Sequence, residues 1–311
     1  MLARAVRSGL TESYHDGAIA VIDPNGALLL EVGDIDRPFF FRSAIKPFQA
    51  TISLEAGADL NREQTALAAA SHGGRPVHRA IVLSILAEAG LDESALQCPP
   101  GRPFVLSSDR QLAGWGDTGL RSVNFNCSGK HAAALSACVA AGWPTENYTD
   151  PSHPYHERVA ALVAEMTGEE VGPTGVDGCG FPTLRGTTRG LARAFSRLAV
   201  DARFQRVRAA MMAMPALTSD GGKPEAALMQ WLPAVVKGGA VACVGVALTG
   251  RFGLAAKAWD GSIPALHVGV IEALNRLGVL EPVASQALEL HARPPLLGGG
   301  VPVGSYEPAL P

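Results

Sequence analysis

The sequence predicts an α+β fold: one antiparallel sheet built from strands near both chain ends, with a mostly helical middle. Three observations carry this. Strand-like segments sit near the two ends, helical patterns fill the interval, and βαβ alternation is scarce. The 311 residues are 47% hydrophobic and 18% charged, which excludes a disordered chain and suffices for a large core. We expect one domain over residues 1–311, with a helical subregion of about 60–235 set between the terminal strands.

Taken in order, Ala18–Ile22 is rich in β-branched residues and runs through Asp23-Pro24-Asn25-Gly26 into Ala27–Val32. Two apolar runs around an Asn-Gly turn read as a hairpin. Helices are expected at about Ala44–Ala56, Arg62–Ala70, Pro76–Ala89, Lys130–Ala141, Pro154–Thr167, Thr183–Ala199 and Arg203–Met214. A second hairpin follows, Ala240–Leu248 with Leu254–Trp259. Ser262 then suits the N-cap of a last helix ending near Leu277-Gly278. The Gly/Pro-rich segment Pro294–Pro311 reads as a terminal arm.

A formal net charge of −3 with no basic stripe argues against nucleic acid as a partner. The longest strongly apolar uncharged run, Gly238–Gly250, is too short to cross a bilayer. No signal peptide is visible after Met1–Arg7, so a cytoplasmic, membrane-free protein is the default expectation. Five sparse cysteines, Cys98, Cys127, Cys138, Cys179 and Cys243, make no disulfide framework. The 35 glycines and 22 prolines predict many tight turns and backbone-lined pockets.

Four segments look chemical. In Arg42-Ser43-Ala44-Ile45-Lys46-Pro47, a helix opening near Ser43 would place Lys46 one turn on, on the same face. Serine needs a base, and a lysine serves when burial or nearby positive charge lowers its pKa; Arg42 would contribute to that. The plain alternative is a capping serine beside a solvated lysine. Ser71-His72-Gly73-Gly74 follows an alanine-rich helix, and its histidine reads as a base, a ligand or a turn residue. Cys127 and Cys179 sit in polar, glycine-containing turns. Zinc wants three or four ligands, and Cys127, His131 and Cys179 could supply them, with 127 and 131 four apart on a helical face. Two thiols in tight turns is the alternative. Lys237-Gly238-Gly239 would let an amine and bare backbone approach a ligand together.

Read together and in this order, these segments resemble the thermolabile, rhizobial-type L-asparaginase family, the asparaginase II family with a serine-β-lactamase-like and glutaminase-like fold. The resemblance begins at Arg7-Ser8-Gly9, Glu12-Ser13 and His15-Asp16-Gly17 and spans roughly residues 5 to 262. It implies two serine–lysine pairs around one amide site, Ser43 with Lys46 and Ser71 with Lys237. It implies a metal site of Cys127, Lys130 and Cys179, commonly holding zinc, and places Arg42, His72, His131 and Asp177 near substrate or metal. Asp177 suits the substrate's amino group by charge. The expected activity is hydrolysis of L-asparagine to L-aspartate and ammonia through an acyl-enzyme. Ser43 is favoured as nucleophile and Ser71 as proton relay, zinc is not needed to make the nucleophile, and a homodimer is expected. A glutaminase, another serine–lysine acyl hydrolase, or a non-catalytic amino-acid-binding homologue are the alternatives. Two departures stand out: Val241-Ala242 replaces the family's usual Glu-Gly, and Met214-Pro215 replaces its His-Pro.

Overall fold

The computed structural model describes residues 1–103, 119–172 and 174–311. Strands β1 (Ala3–Arg7) and β2 (Leu10–His15) form a tight hairpin, its Ser8-Gly9 turn held at positive φ in both residues. β3 (Gly17–Ile22) and β4 (Leu28–Val32) form the hairpin expected around Asn25-Gly26. Its turn is tied by Asp23, whose Oδ1 accepts from the Asn25 and Ala27 backbone N–H groups.

The helical middle contains Lys46–Glu55, Arg62–Ala68, Pro76–Glu88, Ser128–Ala141, Pro154–Thr167, Thr188–Val200 and Gln205–Ala213. Short helices Pro215–Ser219 and Pro224–Trp231 end it. The two-residue strand β5 (Phe39–Phe40) precedes it, and three more interrupt it: β6 (Gly175–Val176), β7 (Pro182–Thr183) and β8 (Arg185–Gly186). The helix expected from Thr183 therefore starts five residues later. Its N-cap is Thr187, whose side chain accepts from Gly190 N, the usual way to satisfy an orphan N–H.

The chain then returns to strand as β9 (Ala234–Gly239), β10 (Cys243–Leu248) and β11 (Phe252–Ala258), followed by the Ile263–Arg276 helix capped by Ser262. A five-stranded antiparallel sheet results, in the order β4-β3-β11-β10-β9. Side chains alternate across it. Ala18, Ala20, Cys243 and Ala247 join the core beneath the helical body, while Ile19, Val21, Val244 and Val246 join a second core under Pro224–Trp231 and Ile263–Arg276. Burial on both faces explains the near-continuous apolar runs of these strands.

The terminal arm is in fact a hairpin, β12 (Pro295–Gly298) and β13 (Val301–Pro308), and β13 pairs with β1 through Ala3↔Pro308 to Arg7↔Gly304. The resulting four-stranded sheet is tied to the β11 turn by His15, which sits 2.5 Å from Asp260 Oδ2 and 3.0 Å from Ser13 Oγ. Among the described residues no helix is long and apolar enough to cross a membrane.

Candidate active site

The first segment enters the core through a 3-10 turn, Arg42–Ile45, which leads directly into the Lys46–Glu55 helix with Pro47 in its first turn. The turn opens on Arg42 at φ +50°. It packs so closely on β9 that a Cβ on Gly239 would lie 2.8 Å from Phe41 O and 3.2 Å from Ala44 N. Segments 42–46 and 237–239, far apart in sequence, thus share one corner of the sheet.

The expected Ser43–Lys46 pair does not form: no hydrogen bond joins the two side chains among the described residues. Lys46, fully buried, sends Nζ to Ala70 O at 2.5 Å and to Ser71 Oγ at 3.0 Å. The reason is electrostatic. Ala70 lies just past the C-terminus of the Arg62–Ala68 helix, where unpaired carbonyls attract a cation.

Ser71 is met from the other side by Lys237, whose Nζ lies 3.0 Å from Oγ and 2.7 Å from Gly238 O. One hydroxyl is therefore held between two buried amines. Lys237 lies inside β9, not at a strand start as expected, and is 2% exposed. Burial above all, then the charge of Lys46, lowers its pKa to about 7, against the opposing pull of Glu225. Burial also lowers the Lys46 pKa, while the facing Cys127 thiolate pulls it back up.

His72 does not face this hydroxyl. Its Nδ1 accepts from Gly74 N at 3.2 Å and its Nε2 lies 3.0 Å from Ser128 Oγ, so the buried ring clamps the 71–74 loop onto the Ser128–Ala141 helix. Burial, reinforced by His78 and Lys46, holds its pKa well below the usual imidazole range.

The two proposed thiols do meet. All five cysteines are free and buried, and Cys179 faces Cys127. Its hydrogen bond to Cys179 first, then Lys46 and Lys130, overcome burial and draw Cys127 well down toward thiolate; the same contact, with burial, pushes Cys179 up. Lys130 Nζ lies 3.1 Å from Cys179 Sγ and 4.1 Å from the Phe181 ring centroid. Burial opposes its charge, but Cys179 and Cys127 outweigh that and raise its pKa. His131 is elsewhere: Nδ1 lies 2.7 Å from Tyr148 OH and the ring sits 4.0 Å from that of Phe181, with Nε2 buried and unpartnered. The four-residue helical relation is present, since His131 N donates to Cys127 O at 3.1 Å, yet among the described residues the ring does not converge with the two thiols.

Arg42 and Asp177 form an ion pair beside these groups. Arg42 Nε and Nη2 lie 2.8 and 2.6 Å from Asp177 Oδ1, which also accepts from Gly178 N at 2.7 Å. Burial raises the carboxyl pKa, but Lys130 and Arg42 outweigh it and the net shift is downward.

The sequence profile described as L-asparaginase II matches residues 3–308. The chain belongs to the L-asparaginase II family. As a member it is an amidohydrolase. No curated protein matches it. Solved structures similar to this family member include a Bacillus glutaminase in 4.3 M NaCl, at 10% identity and TM-score 0.47, covering 85% of this chain and 91% of that one. Mglu in its native form, in 4.3 M NaCl, is 15% identical with TM-score 0.49, covering 91% and 62%. A probable glutaminase is 16% identical with TM-score 0.35, covering 83% and 85%.

For this L-asparaginase II chain the donor set suits a divalent metal on one condition. Among the described residues no group of three or more His, Cys, Asp and Glu side chains converges, and the side-chain donor beside the thiols is the Lys130 amine. Two thiols and Lys130 do converge, and a cation binding there would displace their protons, as thiolate and amine ligands require. Glu225 was not singled out from the sequence, where it reads as an ordinary first-turn acid of a helix. It lies behind β9, with its Oε1 3.6 Å from His267 Nε2.

Proposed function

We propose that this chain hydrolyses the side-chain amide of L-asparagine to L-aspartate and ammonia. The observation that carries the reading is the single hydroxyl of Ser71, 3.0 Å from both Lys46 Nζ and Lys237 Nζ. A lysine with a pKa near 7 is half neutral at neutral pH, the condition under which a base is most effective.

In this reading Ser71 is the nucleophile. Lys237 takes its proton as Oγ attacks the amide carbon, then returns that proton to the departing nitrogen, which leaves as ammonia. Water, deprotonated by the same amine, hydrolyses the acyl-serine to aspartate. Lys46 stays cationic and holds the hydroxyl in place. Ser43, beside Arg42 in the 3-10 turn, lines the site without a lysine of its own. The Arg42–Asp177 pair offers one cation and one anion to a zwitterionic α-amino acid.

Cys127, Lys130 and Cys179 would hold zinc, which when bound supplies a Lewis-acid charge to orient the substrate. The soft thiolate pair favours zinc over magnesium or calcium.

Ammonia release from asparagine, with glutamine and a chromogenic β-lactam as competitors, tests the proposal. Turnover of asparagine lost in Ser71→Ala supports it. Preferential turnover of glutamine would move the assignment to a glutaminase, and tight asparagine binding without turnover to a non-catalytic homologue.

A further inference from the structure

Strand alternation puts Lys237 on the cleft face of β9 and its neighbour Gly238 toward the opposite face. On that opposite face, Glu225 opens the Pro224–Trp231 helix with its side chain 13% exposed. The carboxylate occupies the room a side chain at 238 would need: a Cβ on Gly238 would lie 2.2 Å from Glu225 Oε1. Gly238 is also the residue whose carbonyl accepts the Lys237 amine at 2.7 Å. A buried anion therefore braces, from behind, the peptide unit that holds the base in front.

Beside the carboxylate stands the buried imidazole of His267. That ring donates Nδ1–H to Ile263 O at 3.0 Å and turns Nε2 toward Glu225 Oε1 at 3.6 Å. A cavity of about 190 Å³, lined by Pro224, Ile263, Pro264, His267 and His291 among others, opens beside the pair.

We propose that Glu225 is a positioning residue for the amide hydrolysis: seated behind Gly238, it fixes the peptide that holds the Lys237 amine on Ser71 and favours the ammonium that forms there once the serine has given up its proton. The inference rests on the Ser71–Lys237 reading above. Electrostatics support it. Burial works against the Glu225 charge, yet His267 and then Lys237 keep its pKa down at about 2, and Glu225 in turn opposes the lowering of Lys237. The charged and titratable groups around Lys237 are Lys46, Glu225, Cys127 and Lys223; those around Glu225 are His267, His291 and Lys237.

The test uses Glu225→Gln, which keeps the shape and removes the charge, and His267→Gln, which removes the imidazole beside the carboxylate. Two readouts are taken across neutral pH: kcat and KM for ammonia release, and the rate at which the Lys237 amine is acylated by a small reagent, followed by mass spectrometry. Glu225→Gln should lower kcat about tenfold with KM nearly unchanged, and move the Lys237 titration down by roughly half a pH unit or more. His267→Gln should also shift that titration, since its ring acts on the carboxylate. A folded Glu225→Gln protein with unchanged kcat and unchanged titration overturns the proposal. If that variant does not fold, an unmoved titration in His267→Gln overturns it instead. Absence of ammonia release in the wild type sinks the hydrolysis reading alone, because the acylation readout still judges Glu225.

Discussion

Lys46 Nζ lies 3.0 Å from Ser71 Oγ, although the two residues are 25 apart in sequence. The contact decides the division of labour around the serine. Lys46 already donates to Ala70 O, so it is anchored as a donor, and Cys127 favours its charged form against burial. The hydroxyl proton is then free to point at Lys237. One amine fixes and polarises the serine while the other accepts its proton.

Ser71→Ala should therefore lower kcat by about 10³-fold or more, since it removes the attacking atom. Ser43→Ala, at a serine bonded to neither lysine, should cost far less, roughly tenfold at most. Steady-state ammonia release from the two variants checks the order. A Ser43→Ala enzyme more damaged than Ser71→Ala would return the nucleophile to Ser43.

The pH profile follows from Lys237. Its ammonium cannot accept a proton, so kcat/KM should fall about tenfold per unit below a pKa of about 7 and level off above it. Lys237→Arg keeps the charge but loses the neutral form, and should show no such rise. A wild-type acid limb displaced to near pH 5 would point to a carboxylate as base.

Local chemistry made much of this fold legible. The Asp23 carboxylate fixes the β3–β4 turn by accepting from the backbone of Asn25 and Ala27, and Ser262 caps its helix through Ala265 N. The four-stranded sheet was not legible, because β1 pairs with β13 across almost the whole chain, and neither strand carries a long buried run. The site divided in the same way. Residue types and order marked Ser71, Lys46, Lys237, Cys127 and Cys179. Which lysine serves which serine depends on how two helices and β9 pack, and no spacing rule reports that. His131 is drawn by a tertiary contact, Tyr148 OH at 2.7 Å from its Nδ1, which helical spacing does not report.

Burying Lys237 has a cost in stability with a definite sign. Its folded pKa of about 7 lies below the unfolded value of 10.5, so the unfolded chain binds more protons between those values. Stability should rise with pH across that window and carry the full penalty below it. Lys237→Met removes the penalty. The variant should be more stable than wild type by a few kcal/mol at about pH 6, with the gap closing toward about pH 10. Denaturant unfolding at both pH values checks this, and a gap independent of pH would show that the amine is not the cause.

Removing one proposed metal ligand makes a separate prediction. Protein purified from zinc-supplemented medium without chelator should carry about one equivalent of metal, and Cys179→Ser or Cys127→Ser should carry nearly none. His131→Gln should keep it, because that ring turns to Tyr148. Elemental analysis decides. Unchanged metal content in both cysteine variants would sink the site, and retention in Lys130→Ala would show that the amine is not a ligand.

The Arg42–Asp177 pair gives the sharpest test of substrate class. If Asp177 receives the substrate's ammonium, Asp177→Asn loses a charge-assisted hydrogen bond of about 1.5–3 kcal/mol, which raises KM roughly 10- to 150-fold with a smaller change in kcat. Succinamate, which is asparagine without its amino group, should cost the wild-type enzyme a similar factor. The two losses share one interaction, so they should not add: Asp177→Asn acting on succinamate should be little worse than either change alone. Additive losses would mean that Asp177 serves Arg42 only, and that the ammonium is recognised by another group.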